Sequence, residues 1–375
     1  MESSLVSPLS SPAEISQPWL QQVLRQKLGA SLKLNTWSIR LPETRSGFMS
    51  EVCFVQTRFS ISEGSPEENR SLFAKFMPDT DKDSMEAMKS CCLAEREVGF
   101  YKRAFSEEFK VFCGNSGLDN PVPEVYWAGI KDDKITIVLH DLCSDGFRLS
   151  IPPEGNSLKQ IKCILATVAV IHGAGIATIK KHGKHPGDVP LDNSTYRDFI
   201  VGGMSKLIKM FEGTTTFDTL KAILSQLDRL LTVEEKYPLL NTLIHGDLWS
   251  ANLMLSQDDQ KACIFDWQFA RVGNMVCDIV TLLLMSGEAS CYTEHLPEIL
   301  ECYWKSFEQS LKKNGVTVDI SFQDLVCNVE SMWIFGYLFF SASLQDLFPR
   351  FITEDRVLSV THFLERKGVF KKFLS

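Results

Sequence analysis

Several chemistries are absent from this sequence. None of its 11 cysteines stands in a Cys-x-x-Cys pair, which leaves no zinc ribbon and no thioredoxin-type redox centre. There is no Walker-type phosphate loop and no Gly-x-Ser-x-Gly nucleophile elbow, so P-loop and α/β-hydrolase chemistry are excluded. Gly173-Ala174-Gly175 approaches a dinucleotide fingerprint. The third glycine is missing and the run follows a helical pattern, which predicts the C-terminus of a helix instead. Positive charge is in the minority, 39 Lys and Arg against 47 Asp and Glu for a net charge of -8, so the chain offers little to a nucleic-acid backbone. The basic cluster 180–185 reads as a solvated loop. The sequence does not open with a basic stretch and an apolar core, so no secretory signal is read. The longest apolar stretch, 332–344, falls short of the roughly 20 residues that cross a bilayer. Cys163, Cys263, Cys277 and Cys327 lie inside apolar runs, which predicts buried, reduced thiols in a cytoplasmic protein without a membrane partner.

What is present is enough apolar sequence, 44% of 375 residues, for a sizeable core in two domains. Residues 1–16, rich in Ser and Pro, read as disordered. A short helix closed by Gly29 follows, and then β-branched and aromatic runs over 34–41, 51–61 and 71–76 predict strands. Helical spacing covers 83–105, and two further strands are expected over 122–128 and 135–139. From Ser157 the chain turns helical. Ser157 and Gln160 make a capping box for a helix expected to end at Gly173. Further helices are predicted over 195–211, 217–231, 297–313, 321–344 and 353–374. The pattern divides the chain into a β-rich N-lobe over 17–142 and a helical C-lobe over 143–375. The helical part is interrupted by two short apolar runs, 253–255 and 262–265, around a turn, which reads as a hairpin.

That hairpin carries the chemistry. Before it stands His245-Gly246-Asp247-Leu248-Trp249-Ser250-Ala251-Asn252, and after it Asp266-Trp267-Gln268. Phosphoryl transfer needs a carboxylate beside the attacking hydroxyl and oxygen ligands for magnesium. An Asp and an Asn five residues apart on a tight loop supply a base and a metal ligand, and Asp266 at the end of the hairpin can reach the same ion. Upstream, Lys75 is an isolated cation in the apolar strand Ser71-Leu72-Phe73-Ala74-Lys75-Phe76, a costly placement without a partner. Of the two carboxylates on the following helix, Glu95 and Glu97, the second is the expected partner. The pair would aim the ammonium at the α- and β-phosphates of ATP. The candidate phosphate loop, 44–50, holds a single glycine. His172, His245 and Trp249 are expected to pack against the catalytic loop, and the aromatic run 333–340 to form helical core.

These residues resemble a known group. Lys75, Glu97-x-x-Phe100-Tyr101, Val138-Leu139-His140-Asp141-Leu142, His172, the His245–Asn252 motif and Asp266-Trp267-Gln268 are similar to the ecdysteroid kinase-like (CHK kinase-like) family. That family belongs with the aminoglycoside phosphotransferases and choline kinases. The resemblance implies an α+β, bilobal, protein-kinase-like fold with a mostly β N-lobe, a mostly helical C-lobe and the catalytic hairpin inserted. It implies an ATP- and Mg2+-dependent kinase acting on a small-molecule alcohol, either an ecdysteroid or related sterol or an amino alcohol of the choline and ethanolamine type. A nucleotide-binding protein that has kept the fold without catalysis is the non-enzymatic alternative. By the resemblance Asp247 is the catalytic base, Asn252 and Asp266 hold magnesium, and Lys75, positioned by Glu97, binds ATP phosphates. Ser50 falls at the phosphate-loop serine. Leu139, Asp141 and Leu142 belong to the adenine hinge, which acts through its backbone, and His140 stands where Glu is frequent. Asp278 resembles a residue that braces the catalytic loop, with capping of a helix starting near Ile279 as the expected physical reason. Asp-Phe-Gly and Ala-Pro-Glu are absent, which argues against a protein kinase.

Overall fold

The computed structural model describes residues 6–42, 50–77, 92–118, 120–132, 134–188, 194–236 and 241–375. The chain divides into two compact units, Met1–Phe105 with Val122–Phe147, and Ser106–Pro121 with Arg148–Ser375.

The first unit is built on an antiparallel sheet. Helix α1 (Gln17–Leu28) precedes strands β1 (Lys33–Arg40), β2 (Glu51–Ser60) and β3 (Glu67–Phe76). Helix α2 (Leu93–Gly99) then continues through a π-helical turn, Phe100–Ala104. Strands β4 (Val125–Lys131) and β5 (Lys134–His140) complete a sheet of order β1-β2-β3-β5-β4. Alternation puts Leu34, Val55, Phe59, Leu72, Ala74, Phe76 and Val138 on one face, where Leu20, Val23 and Leu24 of α1 cover them. Apart from Ala74, each of these side chains contributes about 1.5–3 kcal/mol by leaving water. α1 begins at Ser16, whose hydroxyl accepts from the Trp19 amide, and ends at Gly29 with φ of 124°. β3 starts at Glu67, earlier than its apolar run suggests, because its outer half, Glu67 to Arg70, is half-exposed and polar.

The disorder expected over 1–16 does not hold for residues 6–16. Val6, Leu9 and Ile15 pack on the core. The Leu9 amide donates to the Thr136 hydroxyl oxygen at 2.7 Å, and that hydroxyl donates back to Leu9 O at 3.0 Å. A few apolar residues spaced among Ser and Pro are enough to anchor the segment. Residues 83–91 of the predicted 83–105 helix lie outside the described residues, as do 44–49 of the candidate phosphate loop.

The second unit is helical, with α3 (Glu107–Asn115), α4 (Leu158–His182), α5 (Ser194–Met210), α6 (Thr215–Leu224) and α7 (Leu227–Leu231) in its first part. Its later helices are α8 (Val276–Ser286), α9 (Ala289–Thr293), α10 (Leu296–Lys313), α11 (Phe322–Leu347), α12 (Glu354–Arg366) and α13 (Val369–Leu374). Short strands β6 (Phe147–Leu149), β7 (Asn241–Ile244), β8 (Leu253–Ser256), β9 (Ala262–Ile264) and β10 (Arg271–Asn274) are interspersed. β8 and β9 form the expected hairpin, and β10 pairs antiparallel with β7. The last predicted helix is two, because Gly368 takes φ of 75° between them. Both Leu158–His182 and Phe322–Gln345 are long and apolar enough by composition to cross a bilayer. Most of each is buried within the unit, where it serves as core. Cys263 and Cys277 are buried as expected, whereas Cys327 is exposed on α11.

α4 corrects one expectation. Its capping box is present, but the helix runs past Gly173 to His182 and ends at Gly183 in the left-handed region. Gly173 and Gly175 are interior glycines set by close packing. A Cβ on Gly173 would lie 2.4 Å from Ser310 Oγ, and one on Gly175 would lie 2.4 Å from Thr242 Oγ1 and 2.9 Å from Leu243 N. Alanine improves helix propensity by about 1 kcal/mol over glycine, so Gly175→Ala would stabilise an unobstructed helix. Here the backbone of β7 blocks the methyl group, and the substitution should lower stability by about 1–3 kcal/mol, read as a lower urea midpoint at unchanged m-value.

Candidate active site

Two groups of predicted residues come together, one in each unit. In the first, strand alternation decides the geometry. Leu72, Ala74 and Phe76 face the core beneath α1, so Lys75 emerges on the opposite face of β3. Its Nζ lies 2.8 Å from Glu97 Oε2, with the two side chains 16% and 6% exposed. Glu95 is exposed on the same helix. Ser50 is described, immediately before β2. Leu139 and Leu142 are buried. The Asp141 carboxylate accepts from the Ser71 hydroxyl at 2.7 Å and from the Cys143 amide at 3.0 Å. It caps the 3-10 turn Leu142–Asp145, so any contact of this residue with a ligand falls to its backbone.

In the second unit the loop between β7 and β8 is fixed from below by Asp278. Its Oδ2 accepts from the His245 amide at 2.8 Å and its Oδ1 from the Gly246 amide at 2.9 Å. His172 Nε2, 3.2 Å away, donates to Oδ2, and His172 Nδ1 sits 2.7 Å from the Tyr303 hydroxyl. Burial alone would push the Asp278 carboxyl up, but the His172 hydrogen bond and the loop amide together hold it below the usual carboxylate range. The bracing implied by the resemblance is therefore seen, and its expected cause is corrected. α8 begins at Val276 with Met275 at its N-cap, so Asp278 lies within the first turn and serves the loop.

The loop permits few substitutes. Gly246 has φ of 82°, and a Cβ there would sit 2.5 Å from Phe269 O and 2.8 Å from the Arg271 guanidinium. Arg271 is held by Glu234 at 2.6 Å, and the Asn274 amide donates to the same carboxylate at 2.9 Å. The sequence did not single out this lock, since Arg271 carries no local signal. His245 donates from Nε2 to Phe265 O at 2.9 Å and accepts the Asp247 amide at Nδ1, 3.3 Å away. Burial pushes its imidazole down, in keeping with a neutral ring that donates from one nitrogen and accepts at the other. Trp267 is fully buried, with its ring 4.7 Å from that of His245.

Three oxygen-bearing side chains converge on this frame. Asn252 Nδ2 donates to the Asp247 main-chain carbonyl at 2.8 Å and to Asp247 Oδ2 at 3.0 Å. The Phe265 amide donates to Asn252 O at 3.0 Å, which ties the loop to the end of the hairpin where Asp266 stands. Asp266 takes φ of 62°, the left-handed region, which carries a strain of about 1 kcal/mol or more in a non-glycine residue. The buried Trp267 beside it, donating from Nε1 to Ile264 O at 3.1 Å, enforces that turn. The Asp247 carboxyl is pushed up to about 8, first by burial and then by the charge of Asp266, with the Asn252 hydrogen bond offsetting part of the effect. Asp247 nevertheless keeps a partly exposed edge, open to a reacting group.

Asp266 places negative charge beside Asp247, a setting that favours a cation. The Asn252 amide oxygen and the Asp266 carboxylate are hard oxygen ligands of the kind magnesium takes. Among the described residues no group of three or more His, Cys, Asp or Glu side chains is assembled. Asn252 and Asp266 would give an ion two protein ligands, a set that phosphate oxygens and water would complete. The residues present fit the ion.

The profile of the ecdysteroid kinase-like family matches residues 45–316. No curated protein sequence matches the chain. Among solved structures, an ethanolamine kinase of Plasmodium vivax is 11% identical, with 98% of this chain and 93% of that chain covered at a TM-score of 0.41. The choline kinase of Streptococcus pneumoniae is 12% identical over 93% and 99% of the two chains, with a TM-score of 0.40. A macrolide 2'-phosphotransferase of type I is 12% identical over 93% and 98%, at 0.42. At these TM-scores the likenesses carry no functional weight, and family membership rests on the 45–316 match.

Asp278→Asn keeps the shape but sets an amide against donors. It should destabilise the protein by about 1–3 kcal/mol at pH 7. The folded-state pKa of Asp278 is depressed, so its contribution is present above the unfolded value of about 3.9 and fades as pH falls below it. Urea denaturation from pH 7 down to pH 3 should therefore show the gap between the two proteins closing with acid.

Proposed function

The chain belongs to the ecdysteroid kinase-like family of small-molecule phosphotransferases, and on that premise we propose that it transfers the γ-phosphate of ATP to a hydroxyl of a small, largely apolar alcohol such as an ecdysteroid or related sterol. The observation that carries this reading is the loop-and-hairpin convergence of Asp247, Asn252 and Asp266, with Asn252 bonded to the Asp247 carboxylate and Asp266 raising its pKa. Asp247 orients the acceptor hydroxyl and takes its proton. Asn252 and Asp266 hold magnesium. Bound there, magnesium supplies neutralising charge to the oxygens of the transferring phosphate. Lys75, kept in place by Glu97, binds the α- and β-phosphates. Ser50 contributes to the phosphate loop, and Leu139, Asp141 and Leu142 to the adenine contact. The sterol class of the acceptor follows from the family.

A phosphate-transfer screen of sterols, amino alcohols and sugars, read by mass spectrometry, tests the reading. Mass gain of one phosphate on a sterol hydroxyl is the expected result. Transfer to amino alcohols alone would replace the acceptor class, and transfer to none would reject the reading. Asp247→Ala and Asp266→Ala should each lower turnover at least about 1,000-fold, the scale on which phosphoryl-transfer groups act. Lys75→Met should weaken nucleotide binding as well. Turnover unchanged in both aspartate variants would remove the site from the chemistry.

A second expectation concerns protons. Without the ion Asp247 titrates near 8, so it is mostly protonated at pH 7. A cation held beside it favours the charged form, so magnesium-nucleotide binding should release protons at pH 7 and tighten as pH rises towards 8. Calorimetry in two buffers of different ionisation heat measures that release, and Asp247→Asn should abolish it.

A further inference from the structure

Ser250 stands between Asp247 and Asn252, and its contacts lead away from the chemistry. Its amide donates to Ser286 Oγ at 2.8 Å, and its hydroxyl oxygen accepts from Asn156 Nδ2 at 2.8 Å. Asn156 is completely buried and lies in the segment that leads into α4. Its main chain is clamped too. The Asn156 amide donates to Ser286 O at 2.6 Å, and its carbonyl accepts from the Glu288 amide at 3.0 Å. The two backbones can cross because residue 155 is glycine, with φ of 103°, where a Cβ would lie 2.6 Å from the Gly287 carbonyl carbon.

The crossing is pinned from the C-terminal part of the chain. Arg356 of α12 is buried and donates to Gly287 O at 2.7 Å, Leu284 O at 3.2 Å and Glu154 O at 3.4 Å. It thereby satisfies carbonyls at the end of α8 that the helix itself leaves open. Phe351 packs its ring 6.0 Å from that of Trp249, the residue before Ser250. Both Arg356 and Phe351 lie beyond residue 316, where the family match ends. One atom in this node is out of balance. Asn156 Oδ1 is buried without a hydrogen-bond partner, an arrangement proteins rarely keep and one that calls for a reason. The amide nitrogen supplies one, because orienting it towards Ser250 and Ser150 O, 3.4 Å away, strands the oxygen.

We propose that Asn156 is a positioning residue of the catalytic loop. Through Ser250 it sets the place of the Asn252 side chain two residues on, and Arg356 fixes the segment that carries Asn156. The consequence for the metal rests on the phosphotransfer reading, whereas the brace itself does not. Outer partners of metal ligands typically change metal affinity or activity 10- to 100-fold.

Hydrogen exchange of the 245–255 peptide and Mn2+ binding with ADP, followed by electron paramagnetic resonance, test the proposal together. Asn156→Ala removes the donor to Ser250. Ser286→Ala removes the acceptor of the Ser250 amide and serves if the first variant folds poorly. Thr361→Ala, a buried site bonded to Tyr337 at 2.9 Å, controls for general loss of stability. Both loop variants should raise exchange in 245–255 about tenfold or more, beyond any change elsewhere, and weaken Mn2+ binding about tenfold, while the control does neither. Exchange that is unchanged in the loop, or that rises evenly along the chain, overturns the proposal. So does faster loop exchange with Mn2+ affinity intact, since the brace would then not reach Asn252. If the unsubstituted protein binds no Mn2+ with ADP while loop exchange rises as expected, the brace is supported and the phosphotransfer reading alone falls.

Discussion

The catalytic loop depends on one buried anion. Asp278 is 2% exposed and would be intolerable there unpaired. What makes it tolerable is that the loop's two leading amides, His245 and Gly246, and the His172 imidazole all point at it. The dependence runs both ways. Buried amides need an acceptor as much as the carboxylate needs donors, so neither the loop nor the first turn of α8 has a satisfactory arrangement without the other. The φ of 82° at Gly246 is part of the same solution, because only that turn presents consecutive amides to the two oxygens of one side chain. Charge on Asp278 thus becomes position at Asp247.

The acidic residues of this unit play opposite electrostatic parts. Asp278 is surrounded by donors and stays ionised. Asp247, the next residue after the amides that Asp278 binds, is raised to about 8 because burial and Asp266 outweigh what Asn252 returns. A protein concerned only with stability would replace such a repulsive pair with neutral residues. Keeping it places a deficit of positive charge where an oxygen-ligated ion fits. The first unit shows the complementary economy, an ammonium at Lys75 matched to Glu97 and sheltered from water. In each unit the polar groups a stable core would avoid are those the proposed chemistry would use.

Much of this was legible in the sequence, and the boundary of legibility has a physical meaning. The site motifs are local in the chain. Asp247 and Asn252 interact within one loop, and Lys75 stands out because a lone cation in an apolar strand needs a partner. Strand and helix positions followed from alternation and capping, as with Ser157 and Gln160. The misses were long-range. Gly175 reads as a helix end until β7 is known to press against it, and Asp278 reads as a cap until the loop amides are in place. Residues 6–16 read as disordered because their composition is polar, although Leu9 docks against Thr136, 127 residues further along the chain. Asn156 and Arg356 carry no local signal at all, since their partners, Ser250 and Gly287, are brought to them only by the fold.

These long-range contacts bear on how the site works. Electrostatic catalysis is effective when the groups facing the developing charge are already in place, so that no ordering is required as the reaction proceeds. Here the frame is held by contacts within the protein. Asp266 is held in a left-handed turn by the buried Trp267, Asn252 is bonded to Asp247 and reached by the Phe265 amide, and the loop amides are fixed on Asp278. On the proposed reading, a cation arriving at such a frame would meet ligands that do not have to be gathered, and more of its interaction energy would remain as affinity. The left-handed turn at Asp266 is then a conformational cost met in folding rather than in binding.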